Sequence, residues 1–238
     1  MRSGSRGPMM RGMDPGAGRD ETARLVALGR DREAARLQVQ LARTTPPLED
    51  TLDSTRQLDA ILPSLTGLAR NVTPDQLDAP TPCAEFTVRG VFAHMIGGGG
   101  FFAAQFRGEG PPEAPPEGTD LTGDDPVATF VGAMEALGAA VEQPGALDRT
   151  VVAPFGEVSG DFAARYLAFD GTVHAWDIAT ATGQSFDPPE AVVADVLAFA
   201  RESFGPEMRV PGVFGPEVAA PAGASTLEQL VAFTGRTP

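Results

Sequence analysis

The chain has 238 residues, 42% of them hydrophobic and 21% charged, with a formal net charge of −14. That length allows one ordinary domain with a sizeable core plus an appendage, and the acidic balance argues against nucleic-acid binding, which needs a basic footprint. One cysteine, Cys83, excludes an internal disulfide framework, and no run approaches the roughly 18 apolar residues of a membrane span, so the expected setting is the cytoplasm.

The charge is uneven. Nine of the 18 basic residues, all arginine, fall between Arg2 and Arg43, against five acidic ones. Residues 1–45 are expected to be a disordered or loosely helical extension. Its first 20 residues are rich in Gly, Pro and Arg without the apolar stretch of a secretory signal. From Asp20 to Arg43 a charged helix could form, with Leu25, Leu28, Leu37 and Leu41 as its apolar positions. Either this arm meets a partner or an acidic surface, or it is an appended segment apart from the fold.

The folded domain is expected over residues 46–238. Leu48, Leu52, Leu58, Leu62, Leu65, Ala69 and Val72 recur at helical spacing, predicting a first helix from about Leu48 to Asn71, kinked at Pro63. After a proline-broken loop, Thr87 caps a second helix carrying Val88, Val91, Phe92, His94, Met95 and Ile96. Gly97 to Gly100 costs roughly 1 kcal/mol per residue against alanine if helical, which predicts close approach of a neighbouring helix or a break. A phosphate-binding loop lacks the preceding strand and the Lys-Ser/Thr it needs. Residues 107–123 form a polar Pro/Gly loop, and a third helix spans about Pro126 to Glu142. Thr150 to Val158 reads as a short hairpin turning at Pro154 to Gly156. The fourth helix runs from Ser159 to Thr182 with Gly183 as its stop, and a fifth from Pro188 to Phe204. A last short helix starts at Ser225, where Ser-Thr-Leu-Glu is a capping box. The pattern is all-α, four main helices with a small hairpin and short C-terminal helices.

The fourth helix carries the chemistry. Asp170 and His174 are four residues apart and project from one helix face. A carboxylate and an imidazole at that spacing can hold one divalent cation, although solvated Asp/His pairs are common without one. The only other histidine, His94, lies on the second helix, and a helical bundle builds metal sites from facing helices. His94, Asp170 and His174 supply two imidazoles and one carboxylate and leave a coordination position open, the arrangement of catalytic zinc. Iron(II) and nickel accept the same donors. Asp177, three residues after His174, either orients that imidazole or pairs with an arginine or the backbone. Trp176 and Tyr166 read as packing. Cys83 is a candidate fourth ligand or activated thiol, against the reading as a small buried apolar group.

Three segments, PTPCAEFTVRGVFAHMIGG from Pro80, DGTVHAWDIATATGQ from Asp170 and FGPEVAAPAGASTLEQLVAFTGR from Phe214, resemble the metal-binding, DinB-like domain of mycothiol-dependent maleylpyruvate isomerase relatives. The resemblance covers about residues 48–238, in a short actinobacterial branch without the C-terminal domain. It implies a DinB/YfiT-like four-helix bundle, with His94, Asp170 and His174 as metal ligands. It also implies mycothiol as a thiol co-substrate whose pKa the metal lowers, and transfer or isomerisation on a small electrophile. Two features depart from the isomerase relatives. Asp170 stands where they carry Glu, and Phe86 where they carry Trp, so maleylpyruvate itself is not the expected substrate. The contrasting reading is a non-catalytic metal-binding module that meets a protein partner.

Residues 1–45 carry too few large apolar side chains to offset the entropy of ordering them. Deleting them is expected to leave the melting temperature nearly unchanged in a thermal scan. A loss of several degrees would make the arm part of the fold.

Overall fold

A computed structural model describes residues 53–205, 208–209 and 214–238. The N-terminal extension and the expected start of the first helix at Leu48 lie outside the described residues. Helices α1 (Ser54–Arg70), α2 (Val88–Phe106) and α3 (Pro126–Val141) come first. The strands β1 (Thr150–Ala153) and β2 (Gly156–Ser159) follow, then α4 (Gly160–Thr182), α5 (Glu190–Ser203) and α6 (Thr226–Phe233). The described residues are therefore mostly helical with one small hairpin, as the periodicity predicts. Among the described residues no helix is long and apolar enough to cross a membrane.

The caps read from the sequence set the helix ends. Thr87 accepts from the N–H of Gly90 and Ser159 from that of Phe162. Gly183 closes α4 in the left-handed conformation at φ +69°, and Ser225 with Glu228 forms the capping box of α6. Pro63 sits inside α1 without ending it.

α1 lies against α3 and α4, while α2 lies against α3 and α4; α5 and α6 pair and cover another side of α4. All four long helices therefore share one core, in which Leu58, Ile61, Leu65, Phe92, Phe106, Phe130, Met134, Phe169 and Ile178 are fully buried. At Gly171 a methyl group would touch Ile61 and Leu65 at 3.1 Å, so α1 and α4 meet closely beside Asp170. α2 runs unbroken through Gly97 to Gly100. Close approach is the outcome at Gly99, where a Cβ would come within 2.9 Å of Met134 Cε on α3.

The hairpin pairs Thr150 with Ser159 and Ala153 with Gly156, and it buries Val151, Ala153 and Val158. Its edge is bound to α2 by one side chain. The buried amide of Gln105 accepts from Val152 N–H at 2.7 Å and donates to the Val152 carbonyl at 3.1 Å, replacing a neighbouring strand. Arg149 donates to the Phe106 carbonyl at the end of α2.

The start of α4, which aims the candidate ligands, is fixed by the segment before the hairpin. Gly160 donates to the Arg149 carbonyl at 2.7 Å and Asp161 to that of Leu147 at 2.9 Å. A Cβ on Gly160 would lie 2.1 Å from the Ala146 carbonyl oxygen and 2.8 Å from Leu147 Cα, both backbone atoms. Gly160→Ala is therefore expected to destabilise the protein by about 3 kcal/mol, since packed backbone cannot yield cheaply. Gly132→Ala, in α3 with no neighbour within 4 Å, is expected to gain about 0.5–1 kcal/mol from helix propensity. Chemical denaturation of both variants checks the contrast.

Candidate metal centre

Along α4, Asp170, His174 and Asp177 follow one another at intervals of four and three residues, so they share a face. That face is not solvated. Asp177 is fully buried, His174 is 6% exposed, and the flanking Phe169, Val173 and Ile178 are in the core. Ionisable groups so placed need partners, and two come from distant parts of the chain.

The first is His94 of α2. Its Nε2 lies 3.4 Å from Asp170 Oδ2, and His174 Nε2 lies 3.6 Å from Asp170 Oδ1. One donor atom from each of the three residues lies within 4.8 Å of the other two, so the residues singled out in the sequence are brought together. Phe86 stacks on the His94 ring at 5.4 Å between centroids, 28° between planes. Its loop is held by the Thr81 hydroxyl, which donates to the Phe86 carbonyl at 2.7 Å. The His94 side chain is 38% exposed, so the cluster is open on that side.

The second partner is Arg236, which the sequence reading did not assign. α6 ends in a Schellman turn: Gly235 is left-handed at φ +88°, its N–H donates to Ala232, and the N–H of Arg236 donates to Val231. This turn sends the arginine back into the protein. Its guanidinium grips Asp177 with two bonds of 2.7 Å, Nε to Oδ1 and Nη2 to Oδ2. A third bond goes to the Thr234 hydroxyl. Asp177 thus does both of the things expected of it as alternatives, binding an arginine and facing His174 Nδ1 at 2.9 Å.

These contacts fix the chemistry of His174. Burial works to raise the Asp177 pKa, but the bonds from His174 and Arg236 outweigh it and hold the carboxyl below its usual range. An ionised carboxylate only accepts, so His174 carries a proton on Nδ1 and turns Nε2 toward Asp170. Burial also opposes the charge of Asp170. The two imidazoles and Arg236 prevail and hold it at about 2. For His94, burial lowers the pKa while the hydrogen bond and charge of Asp170 raise it, with a net rise.

A neutral His174 would set a lone pair on Nε2 against an anionic Asp170 oxygen, and the two repel unless a proton or a cation lies between them. The spacings suit that requirement. At 3.4 and 3.6 Å they exceed the usual 2.7–3.2 Å of an N–H···O bond. They are close to the roughly 3.4 Å edge of a tetrahedron whose donors lie about 2.1 Å from one centre. They run to different oxygens of Asp170, however, and with one donor per residue the set spreads to 4.8 Å, so the ligands have to draw together on a cation.

Cys83 is not in the cluster. Burial pushes its thiol pKa up, although Arg236 pulls the other way, so it is a neutral thiol rather than an activated one. Trp176 is half-buried. Tyr166 packs among Phe102, Phe155 and Phe204.

Arg236→Met is expected to strand the buried Asp177 charge and to cost about 3–5 kcal/mol at neutral pH. The Asp177 pKa is lower folded than unfolded, so its stabilising contribution is full above the ordinary carboxylate range. That contribution disappears as pH falls through the folded value. The gap between wild type and variant should therefore narrow in acid, as urea melts over a pH series will show.

Residues 58–179 match the family described as the mycothiol maleylpyruvate isomerase N-terminal domain. Two proteins from strains of Mycobacterium tuberculosis, the uncharacterized proteins MT0763 and Rv0738, are each 35% identical over 179 residues, covering 73% of this chain and 92% of their own length. No solved structure matches significantly.

Proposed function

This chain belongs to the family of the mycothiol maleylpyruvate isomerase N-terminal domain, and we propose that it binds a divalent cation and works as a mycothiol-dependent S-transferase or isomerase on a small electrophile. The observation that carries the proposal is that His94, Asp170 and His174, from two helices, bring one donor atom each within 4.8 Å of one another. In this reading α1 to α4 form a DinB-like four-helix bundle whose interior faces supply the ligands. The setting is the cytoplasm, where small thiols stay reduced.

The donor set fits the ion. Two imidazoles and one carboxylate suit zinc first and also iron(II) or nickel, and three protein donors leave at least one position open. When bound, such a cation lowers the pKa of a thiol at the open position, making thiolate available at neutral pH. The protein's own part is positioning. Arg236 keeps Asp177 ionised, Asp177 keeps the His174 proton on Nδ1, and Nε2 is thereby left free to bind. Phe86 steadies the His94 ring, and the exposed side of His94 is the approach for the thiol. A non-catalytic metal module would need no such open side.

The test is metal analysis of purified protein beside His94→Ala and Asp170→Asn, followed by a thiol-transfer assay with mycothiol. Wild type is expected to hold one ion per chain, each variant to lose at least about tenfold in metal affinity, and thiol transfer to follow metal content. Equal metal content in wild type and variants would overturn the metal centre. Full occupancy without thiol transfer to any electrophile would leave the non-catalytic module.

A further inference from the structure

Beside the ligand cluster lies a partly open cavity of about 320 Å³. It lies among the four long helices, between Leu62 and Leu65 of α1, Phe102 of α2, Met134 and Leu137 of α3, and Leu167 of α4. Among the described residues, the only polar side chains in its wall are His94, Asp170 and Tyr166, and no arginine lines it. The one carboxylate among them is that of Asp170.

The glycine run explains how the space stays empty. Gly98 is one turn beyond His94 on the same face of α2 and lines the cavity, and a Cβ placed there would meet nothing within 4 Å. Gly99 serves contact with α3, and Gly100 is exposed. A leucine or valine at position 98 would gain helix propensity and fill the void with apolar contacts. The sequence instead has glycine at a lining position one turn from His94 where a side chain would meet open space.

We infer that this cavity is the electrophile site, and that it takes an uncharged, largely apolar molecule and rejects carboxylates such as maleylpyruvate. The inference rests on the thiol-transferase reading for the word electrophile, but not for the selection by charge. A carboxylate entering the space would lose its water, find no guanidinium or ammonium among the described wall residues and, in metal-free protein, face Asp170. An apolar molecule of similar shape loses little and gains contact with six aliphatic and aromatic side chains. The reaction that follows is conjugate addition: the thiolate sulfur forms a bond to the β-carbon of an activated alkene. The alkene π pair moves to the adjacent carbonyl oxygen as an enolate, and a proton from water then restores the carbonyl compound.

Methyl cinnamate and cinnamate make a matched pair, one shape with and without charge, and both are activated alkenes. Their binding is measured by titration calorimetry on full-length protein as purified and again after removal of metal by a chelator, with the metal content of each sample determined in parallel. The ester and the acid are compared on the chelated sample, where no open coordination position can take the carboxylate. The ester is expected to bind saturably, and the acid at least about tenfold more weakly. Gly98→Leu, which fills the cavity, is expected to weaken ester binding by at least about tenfold while keeping the wild-type metal content. The exposed Gly100→Leu should bind as wild type does, and a thermal melt establishes that both variants fold. Should Gly98→Leu unfold, Gly98→Val replaces it with a smaller obstruction and the same expected direction. Cinnamate binding as tightly as its ester would overturn the inference. So would unchanged ester binding in a folded position-98 variant. Ester binding that disappears at position 98 in protein without metal would support the cavity while removing the metal centre, so the two readings fail separately.

Discussion

Everything in this structure depends on one arrangement, a row of three ionisable side chains on the buried face of α4. Asp170, His174 and Asp177 occupy positions where an ordinary bundle helix would carry leucine, and a buried charge without a partner is among the costlier features a fold can hold. The row therefore dictates what the rest of the chain must deliver. α2 has to pass close enough to present His94 to Asp170, and α6 has to end so that Arg236 reaches Asp177. The fixed start of α4 at Gly160 and its tight seam with α1 at Gly171 hold the row in register with both partners. Small displacements there would be felt as lost hydrogen bonds at the other end of the helix.

The same logic separates the glycines of α2 into different duties. Gly99 lets α2 and α3 approach, which is a packing duty and stabilises the core. Gly98 lies next to open space, which does nothing for stability, since an unfilled apolar void loses dispersion contacts on every side. A protein selected for stability alone would fill it. Keeping a void of this size beside a set of candidate metal ligands is the departure from good packing expected where a small molecule has to enter.

Much of this was legible in the sequence because the signals are local. Thr87, Ser159, Gly183 and the Ser225–Glu228 box each act within a few residues, and each marks the helix end it predicts. The spacing of Asp170 and His174 is equally local, and with only two histidines in the chain His94 had no competitor. What stayed hidden depends on contacts between distant segments. Arg236 is 59 residues from Asp177. The Thr-Gly-Arg that ends the chain's last family-like segment signals a helix stop, but nothing in the sequence says that its arginine turns inward. Similarly, the glycine run announces an abnormality at residues 97–100, but only the position of Met134 and the emptiness beyond Gly98 tell one glycine's role from another's. The alternatives posed for Asp177 also dissolve for a spatial reason, because a carboxylate has two oxygens and can serve two partners at once.

A count of charges joins the ligand cluster to the cavity. Asp170 and Asp177 are both held ionised, and Arg236 offsets one of them. Counted with both imidazoles neutral, as metal ligation requires, this cluster is left with one uncompensated negative charge, centred on Asp170. A divalent cation at the proposed position would turn that deficit of one into an excess of one. A single thiolate would then bring the site to neutrality, whereas a thiolate together with a dicarboxylate would leave two surplus negative charges in surroundings that screen them poorly. The balance thus favours one anion and a neutral reaction partner, the same selection that the uncharged walls around Gly98 impose by a different route. A family relative that handles a charged substrate at an equivalent position would need an additional cation in its cavity wall, and the described residues of this wall include no arginine.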